Sequence, residues 1–125
     1  MQNVKHIKDQ IEKIEEAYEY MLAYAAQGRS DEGAGPDGAQ IRTFLNQFSE
    51  AQTKLNEATP AIIEAIPDAS DFIDAFMSES KVMAAILKVL LSRSNISSEV
   101  IDNTNGLISV RAYLTSLFFL DKSVL

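Results

Sequence analysis

Carboxylates are the most abundant groups in this sequence that could do chemistry. The chain has 18 acidic residues against 11 basic ones, a single histidine, His6, and no cysteine. Without cysteine, thiolate metal sites, iron–sulfur clusters and cysteine nucleophiles are excluded, and one imidazole is too few for most zinc or di-iron sites. His6 falls at a solvent-facing position near the N-terminus, where it would be a poor general base because such a base must be held in place. We therefore expect no catalytic residue, no cofactor and no metal site.

Glutamates gather on the first predicted helix, where two pairs at i,i+4 spacing repel each other by a few tenths of a kcal/mol. One hypothesis is a stripe that docks a basic partner, and the alternative is an ordinary solvated face. A second acidic group lies between residues 55 and 80, with six acids and no base. Its spacing is not that of a calcium-binding loop. The stripe on the first helix consists of Glu12, Glu15, Glu16 and Glu19.

Two tyrosines and two arginines are further candidates for binding. Tyr20 and Tyr24 lie one helical turn apart and away from the main apolar seam. Tyrosine is enriched at protein interfaces, so the pair indicates an interface, with a wider core-facing stripe as the alternative. Arg42 or Arg111 could anchor an anionic ligand in an apolar pocket between helices. For Arg111 the sequence favours a structural role instead, a partly buried ion pair that attaches the last helix.

Apolar residues recur at helical spacing along most of the chain. Residues 4–25 alternate steps of three and four over three heptads, which predicts a helix over about 3–27. The apolar seam of this helix would pack either against other helices of the same chain or against a second copy in a dimer. Further long helices are predicted over about 38–58, 80–93 and 106–121. The helix over 80–93, capped by Ser78 or Ser80, is expected to be central because its apolar residues, Val82 and Val89 among them, lie nearly all round its second half. The last helix is expected to bury one face, formed by Leu107, Val110, Leu114, Leu117 and Phe118. Shorter helical pieces are predicted at about 60–66, 68–77 and 97–101, with breaks at 58–60, at 67 and within 94–106.

Glycines are concentrated between the first two helices. Positions 28–38 hold four glycines and one proline, which predicts a connector. The segment lacks the Lys-Ser or Lys-Thr that a phosphate-binding loop requires. Because glycine has much backbone entropy to lose, we predict that residues 29–37 are mobile and that trypsin cuts first near Arg29.

Together these patterns predict an all-α fold, a compact bundle of four main helices plus one or two short helical turns, in one domain over residues 1–125. The net charge of −7 argues against nucleic acid and against an anionic membrane surface. The N-terminus has no apolar region typical of a signal peptide, and no apolar run approaches the roughly 20 residues that span a bilayer. A cytoplasmic location is expected.

The function that these features favour is a non-enzymatic interaction module, an accessory, adaptor or chaperone-like protein that binds another protein or a second copy of itself. A dimer is expected because the first seam, the two tyrosines and the apolar tail at 117–120 offer more apolar surface than one small bundle covers. The alternative is a small helical ligand-binding protein or enzyme with an apolar pocket between helices. That pocket would be lined by Phe44, Phe48, Phe72, Phe76 and Met83.

Overall fold

The computed structural model describes residues 3–33 and 36–125, without the side chains of 36–39. Within these residues the chain is all-helical and has no strand, so the predicted fold class of four long helices and a short one is confirmed. A 3-10 turn at Pro67–Ala69 precedes the third helix, and a π-helical turn at Leu120–Val124 follows the last. The helices are α1 (Val4–Ala26), α2 (Pro36–Ala65), α3 (Ser70–Leu91), α4 (Ser98–Asn105) and α5 (Ile108–Phe119).

The long helices run antiparallel to their main neighbours. Helix α1 packs chiefly against α2 and the short α4, the other flank of α2 contacts α3, and α3 pairs with α5. One contiguous hydrophobic core receives side chains from all five helices. None of the helices in the described residues combines the length and the hydropathy that a bilayer-spanning segment requires.

The heptad seam of α1 is used within the chain. Ile7, Ile11, Ile14 and Met21 are almost completely buried in the core. Their burial supports the intramolecular reading of the seam, and the alternative that it forms a dimer zipper is wrong because its side chains are already covered.

Helix α2 continues through Pro60, so the predicted break at 58–60 is wrong. Proline lacks the amide that would donate to the carbonyl of Asn56, four residues earlier. The buried Thr59 supplies the missing donor, because its hydroxyl donates to that carbonyl over 2.8 Å. Thr59 therefore stabilises the interior of one long helix instead of capping a new one.

Helix α3 is also continuous where two pieces were predicted. Ser78 and Ser80 were expected to cap a new helix. Instead the Ser78 hydroxyl donates to the carbonyl of Asp74 (3.3 Å), and the buried Ser80 accepts a hydrogen bond from Gln52 of α2 (2.8 Å). Serine in a helix interior is tolerated when its hydroxyl finds such partners. The predicted break at Pro67 is confirmed.

The short helix α4 begins as predicted, at Ser97. Its side chain accepts a hydrogen bond from the amide of Val100 (3.2 Å), which is the ordinary N-cap arrangement. The helix is longer than the predicted turn, since it ends at Asn105 with Gly106 as its C-cap.

The first half of the glycine-rich connector is hydrogen-bonded to the α3–α4 loop. The amide of Arg29 donates to the Ser98 hydroxyl, and the Ser98 amide donates to the Arg29 carbonyl, both over 2.9 Å. Asn95 accepts from the Glu32 amide (3.0 Å) and donates to the Ser30 carbonyl (3.1 Å). Mobility of residues 29–37 was predicted from the glycines and their backbone entropy, and these hydrogen bonds to the α3–α4 loop oppose it at Arg29, Ser30 and Glu32. Residues 34 and 35 lie outside the described residues.

Candidate functional site

Tyr24 lies in the core and not at a surface. It is fully buried, and its hydroxyl donates to the carbonyl of Ile96 over 2.6 Å. Tyr20 is half-buried, with its ring stacked on Phe44 at 4.4 Å between centroids. The interface prediction is therefore wrong for Tyr24, because the fold covers its ring and occupies its hydroxyl. The pair forms the wider core-facing stripe that was the alternative.

The acidic stripe on α1 is exposed along its whole length, over Glu12, Glu15, Glu16 and Glu19. Partial loss of water raises the pKa of Glu15, and the carboxylate of Asp121 adds to this rise. Glu16 accepts a long hydrogen bond from Gln47 of α2 (3.4 Å). No group of three or more acidic or histidine side chains in the described residues converges on a metal position. Docking of a basic partner on this stripe stays a prediction.

Arg42 is held by the protein itself. Its Nε and Nη2 donate to the two carboxylate oxygens of Glu32, over 2.8 and 2.6 Å. Its other hydrogen bonds reach the carbonyls of Leu91 (3.3 Å) and Arg93 (2.7 Å). The same Glu32 carboxylate accepts the amide of Ile96 (2.9 Å). Because these partners use its donors, Arg42 does not serve as a free anchor for an anionic ligand.

Arg111 is exposed, and within the described residues it forms no salt bridge. The predicted partly buried ion pair is therefore wrong. Helix α5 buries Val110, Tyr113 and Leu117, and at about 100° per residue Arg111 points roughly 160° away from Tyr113. The predicted buried face consisted of Leu107, Val110, Leu114, Leu117 and Phe118. Val110 and Leu117 are buried as predicted, but Leu107 and Phe118 are exposed because the face is centred near Tyr113.

Tyr113 lies between the phenylalanines that were expected to line a pocket. Its ring packs 5.3 Å from Phe76 and 6.1 Å from Phe48, measured between centroids. Burial raises the pKa of the Tyr113 hydroxyl, and the nearby Ser80 offsets part of this rise in pKa. The hydroxyl has no hydrogen-bond partner of ordinary geometry. Phe48, Phe76 and Met83 are completely buried, so these side chains fill the core instead of lining a pocket.

A polar groove of about 450 Å³ lies between α1 and α2. Gln10 forms part of its wall, and the buried Oε1 of this side chain has no hydrogen-bond partner. Lys13 and Lys54 also line the groove, and neither forms a salt bridge within the described residues. This groove could not be predicted from the sequence, because no pattern around Gln10 distinguishes it from a surface residue.

An exposed apolar surface joins α3 to the start of α5. Val82, Val89, Leu107 and Ile108 are exposed to 46, 64, 45 and 83%. Val82, Val89 and Leu107 border a shallow apolar groove of about 320 Å³ to which Ile86 also contributes, and Ile108 follows Leu107 in the chain. We call this surface the α3–α5 face. Its members are Ala75, Ser78, Val82, Ala85, Ile86, Val89, Leu107 and Ile108.

Helix geometry explains why the face is continuous. At about 100° per residue, the six positions that α3 contributes fall within roughly 100° of one another on the flank beside α5. None of them is charged, and the one acid in the seam between the helices, Glu79, accepts a hydrogen bond from Ser116 of α5 (2.7 Å). This face was not predicted, because apolar residues surround the second half of α3 and Val82 and Val89 were therefore expected to be core residues of a central helix.

Charged residues of opposite sign lie at the two ends of the face. Asp71 and Asp74 are exposed near its start on α3, whereas Lys88 and Arg111 are exposed near its other end. None of these four forms a salt bridge within the described residues. The face thus combines an uncharged centre with ends of opposite charge.

Comparison with models of protein families, with curated proteins and with solved structures finds no match to this chain.

Proposed function

We propose that this chain is a non-enzymatic interaction module that binds a protein partner through the α3–α5 face. The observation that carries the proposal is the exposure of Val82, Val89, Leu107 and Ile108 on one uncharged surface. Covering these side chains would remove apolar area from water, at roughly 25 cal/mol for each Å². Contiguous apolar patches on soluble proteins mark interaction sites more often than singly scattered residues do.

The composition of the face resembles the centre of a protein interface. Such centres are depleted of charge and surrounded by a polar rim. Here the flank of α3 from Ala75 to Val89 carries no charge, although 23% of the whole chain is charged. Asp74, Lys81 and Lys88 border this flank on the side away from α5. A small bundle whose most distinctive feature is such a face suits an accessory or adaptor role, in which the protein acts by binding a partner.

The ligand-binding alternative has less support. Of the phenylalanines expected to line its pocket, Phe48 and Phe76 are buried in the core, and its first anchor, Arg42, is bound to Glu32 at 2.6 Å. Its second anchor, Arg111, is exposed on the outer side of α5.

Site-specific photo-cross-linking in the cells that express the protein tests the proposal. A photo-reactive residue placed at position 89 should form cross-links to a protein, since Val89 is 64% exposed at the centre of the face. The matched control is position 53, because Thr53 is exposed on α2 and outside the face. The additional substitution Ile108→Asp should abolish the cross-links from position 89. Equal cross-linking from both positions, or none from position 89, would contradict the proposal.

A further inference from the structure

The flank of α3 is self-complementary in size about Val82. Two copies of α3 can cross antiparallel so that Val82 of one copy faces Val82 of the other. A residue a given number of positions before Val82 in one copy then faces the residue the same number of positions after Val82 in the other. Ile86 then faces Ser78, and Val89 faces Ala75. In these two pairs a large side chain meets a small one, which favours close packing between helices, whereas Val82 meets its own counterpart and Ala85 faces Glu79.

Two charged residues near the ends of the flank follow a similar relation. The same antiparallel crossing brings Asp74, eight positions before Val82, close to Lys88 of the other copy, six positions after it. Within the described part of the chain neither side chain forms a salt bridge of its own. An interface around a two-fold axis requires such reciprocity, since residue i of one copy contacts residue j of the other and j contacts i.

We propose that the partner on the α3–α5 face is a second copy of this chain, bound antiparallel about a two-fold axis through Val82. This inference rests on the proposed use of the face and names its occupant. Two chains that each carry a net charge of −7 repel at long range. The uncharged centre and the crossed Asp74–Lys88 contacts oppose this repulsion, although the same crossing also brings Lys81 beside its own counterpart next to the axis.

The position of Val82 on the axis allows a test by charge pairing. Val82→Asp places two carboxylates opposite each other in a homodimer, and Val82→Lys places two ammonium groups there. Val82 is 46% exposed, so neither change disturbs the core. Each variant alone should therefore be a monomer, whereas an equimolar mixture should form a heterodimer in which Asp faces Lys.

Light scattering at about 100 μM measures the outcome. The unmodified chain of 13.8 kDa should appear at about 28 kDa, each Val82 variant at 13.8 kDa, and the mixture again at about 28 kDa. The matched control is Leu22→Asp on α1, which has the same 46% exposure and should leave the dimer intact. A dimer that survives Val82→Asp but not Leu22→Asp would overturn the inference by placing the interface on the other side of the molecule.

Charge exchange at the ends of the face tests the antiparallel geometry separately. Asp74→Lys should weaken the dimer at least tenfold because it sets two lysines together, and adding Lys88→Asp to the same chain should restore it. If the double variant is no tighter than Asp74→Lys alone, the antiparallel arrangement is wrong. An unmodified chain that is monomeric, while position 89 still cross-links to a different protein, would refute the second copy as partner and leave the proposed function standing.

Discussion

The ion pair between Arg42 and Glu32 joins three parts of the chain that are distant in sequence. Glu32 belongs to the connector after α1, Arg42 lies in the first turns of α2, and both bind backbone groups of the α3–α4 loop. The side chains are 32 and 16% exposed, which places the pair between a surface salt bridge and a buried one. Both charges also have hydrogen bonds beyond the pair itself, so neither is left partly desolvated without compensation.

Replacing one partner of this pair should be clearly destabilising. We expect Arg42→Met to lower the free energy of unfolding by about 2 kcal/mol, less than the loss for a fully buried pair because solvent screens part of the interaction. Urea denaturation measures the change. The control is Lys5→Met, since the Lys5–Asp9 pair is 90 and 47% exposed and its loss should cost less than about 0.5 kcal/mol. Equal losses in the two variants would show that the Arg42 pair is an ordinary surface contact.

The same ion pair gives stability a defined dependence on pH. Hydrogen bonds from Arg42 hold the pKa of Glu32 below its ordinary value of 4.5, against the opposing effect of burial. A carboxylate with a lowered folded-state pKa contributes stability above its unfolded pKa and loses that contribution as the pH falls through the folded-state value. Glu15 has a raised pKa and therefore the opposite dependence.

We expect the difference in unfolding free energy between the unmodified chain and Glu32→Gln to be largest above about pH 5 and to shrink as the pH falls below 4.5. Urea denaturation at a series of pH values from 7 to 3 measures this difference. Effects of Glu15 and Asp121 cancel, because both proteins carry them. A difference that stays constant down to pH 3 would mean that Glu32 titrates with the same pKa in the folded and unfolded states.

At the scale of single residues, the sequence did not predict the roles of side chains that are partly apolar and partly polar. Tyr24 and Arg42 were assigned to binding because their side chains suit interfaces and anions. In the fold Tyr24 donates to the carbonyl of Ile96, and Arg42 donates to Glu32 and to two carbonyls. These partners are between 10 and 72 positions away in the chain. Local spacing carries no information about such contacts, whereas the buried isoleucines of α1 could be predicted because their periodicity is local.

At the scale of elements, helix type and order followed from periodicity, and the errors came from residues that usually end helices. Pro60, Ser78 and Ser80 all indicated a boundary, and each lies inside a helix. In each case a hydroxyl donates a compensating hydrogen bond. At Pro60 the donor is the neighbouring Thr59, and at the two serines it is the hydroxyl of Ser78 or Ser80. Ser97 and Pro67 marked real boundaries, because no such compensation continues the helix past them.

The continuity of α2 at Pro60 should depend on the Thr59 hydroxyl. Thr59→Val leaves the carbonyl of Asn56 without a donor, so we expect a loss of about 1–2 kcal/mol in unfolding free energy. In a Pro60→Ala background the loss should fall by half or more, because the new amide can donate to the same carbonyl. Urea denaturation of the four proteins in this double-mutant cycle measures the coupling.

A control for this cycle exists one and a half turns earlier in α2. The hydroxyl of Thr53 donates to the carbonyl of Ser49 (3.1 Å) on the exposed side of the helix, where water can replace it. Thr53→Val should therefore cost less than about 0.5 kcal/mol. If Thr59→Val costs the same with and without Pro60, its hydroxyl does not compensate for the proline.

For α5 the sequence predicted a helix but not its orientation. The helix is apolar almost all round, with Ile108, Phe118 and Phe119 exposed and Val110 and Leu117 buried. When apolar residues occupy every side, periodicity does not specify which side faces the core. The aromatic contacts of Tyr113 decide it in the fold. The error in placing Arg111 and the failure to recognise the α3–α5 face both follow from this ambiguity.

The whole molecule is held together by contacts between its two ends as well as by its core. Lys8 of α1 forms a salt bridge with Asp121 after α5 (2.9 Å), and Tyr24 at the end of α1 is bound to the loop before α4. Although burial opposes it, hydrogen bonding to Lys8 and Lys122 keeps the pKa of Asp121 below its ordinary value. All five helices contribute side chains to one hydrophobic core, so removing any long helix would expose the others' apolar faces.

This arrangement predicts that the chain unfolds in one cooperative transition. Far-UV circular dichroism reports the loss of helix, and tyrosine fluorescence reports the packing around the four tyrosines, of which Tyr24 in α1 and Tyr113 in α5 are fully buried. In urea the two signals should give the same midpoint and the same slope, as for other single-core chains of this size. Repeating the experiment with tenfold more protein should raise the midpoint of both signals together, since a partner that binds only the folded chain stabilises it. A fluorescence change that precedes the loss of helix would mean that the packing around the tyrosines is lost before the helices unfold, and would contradict a single transition.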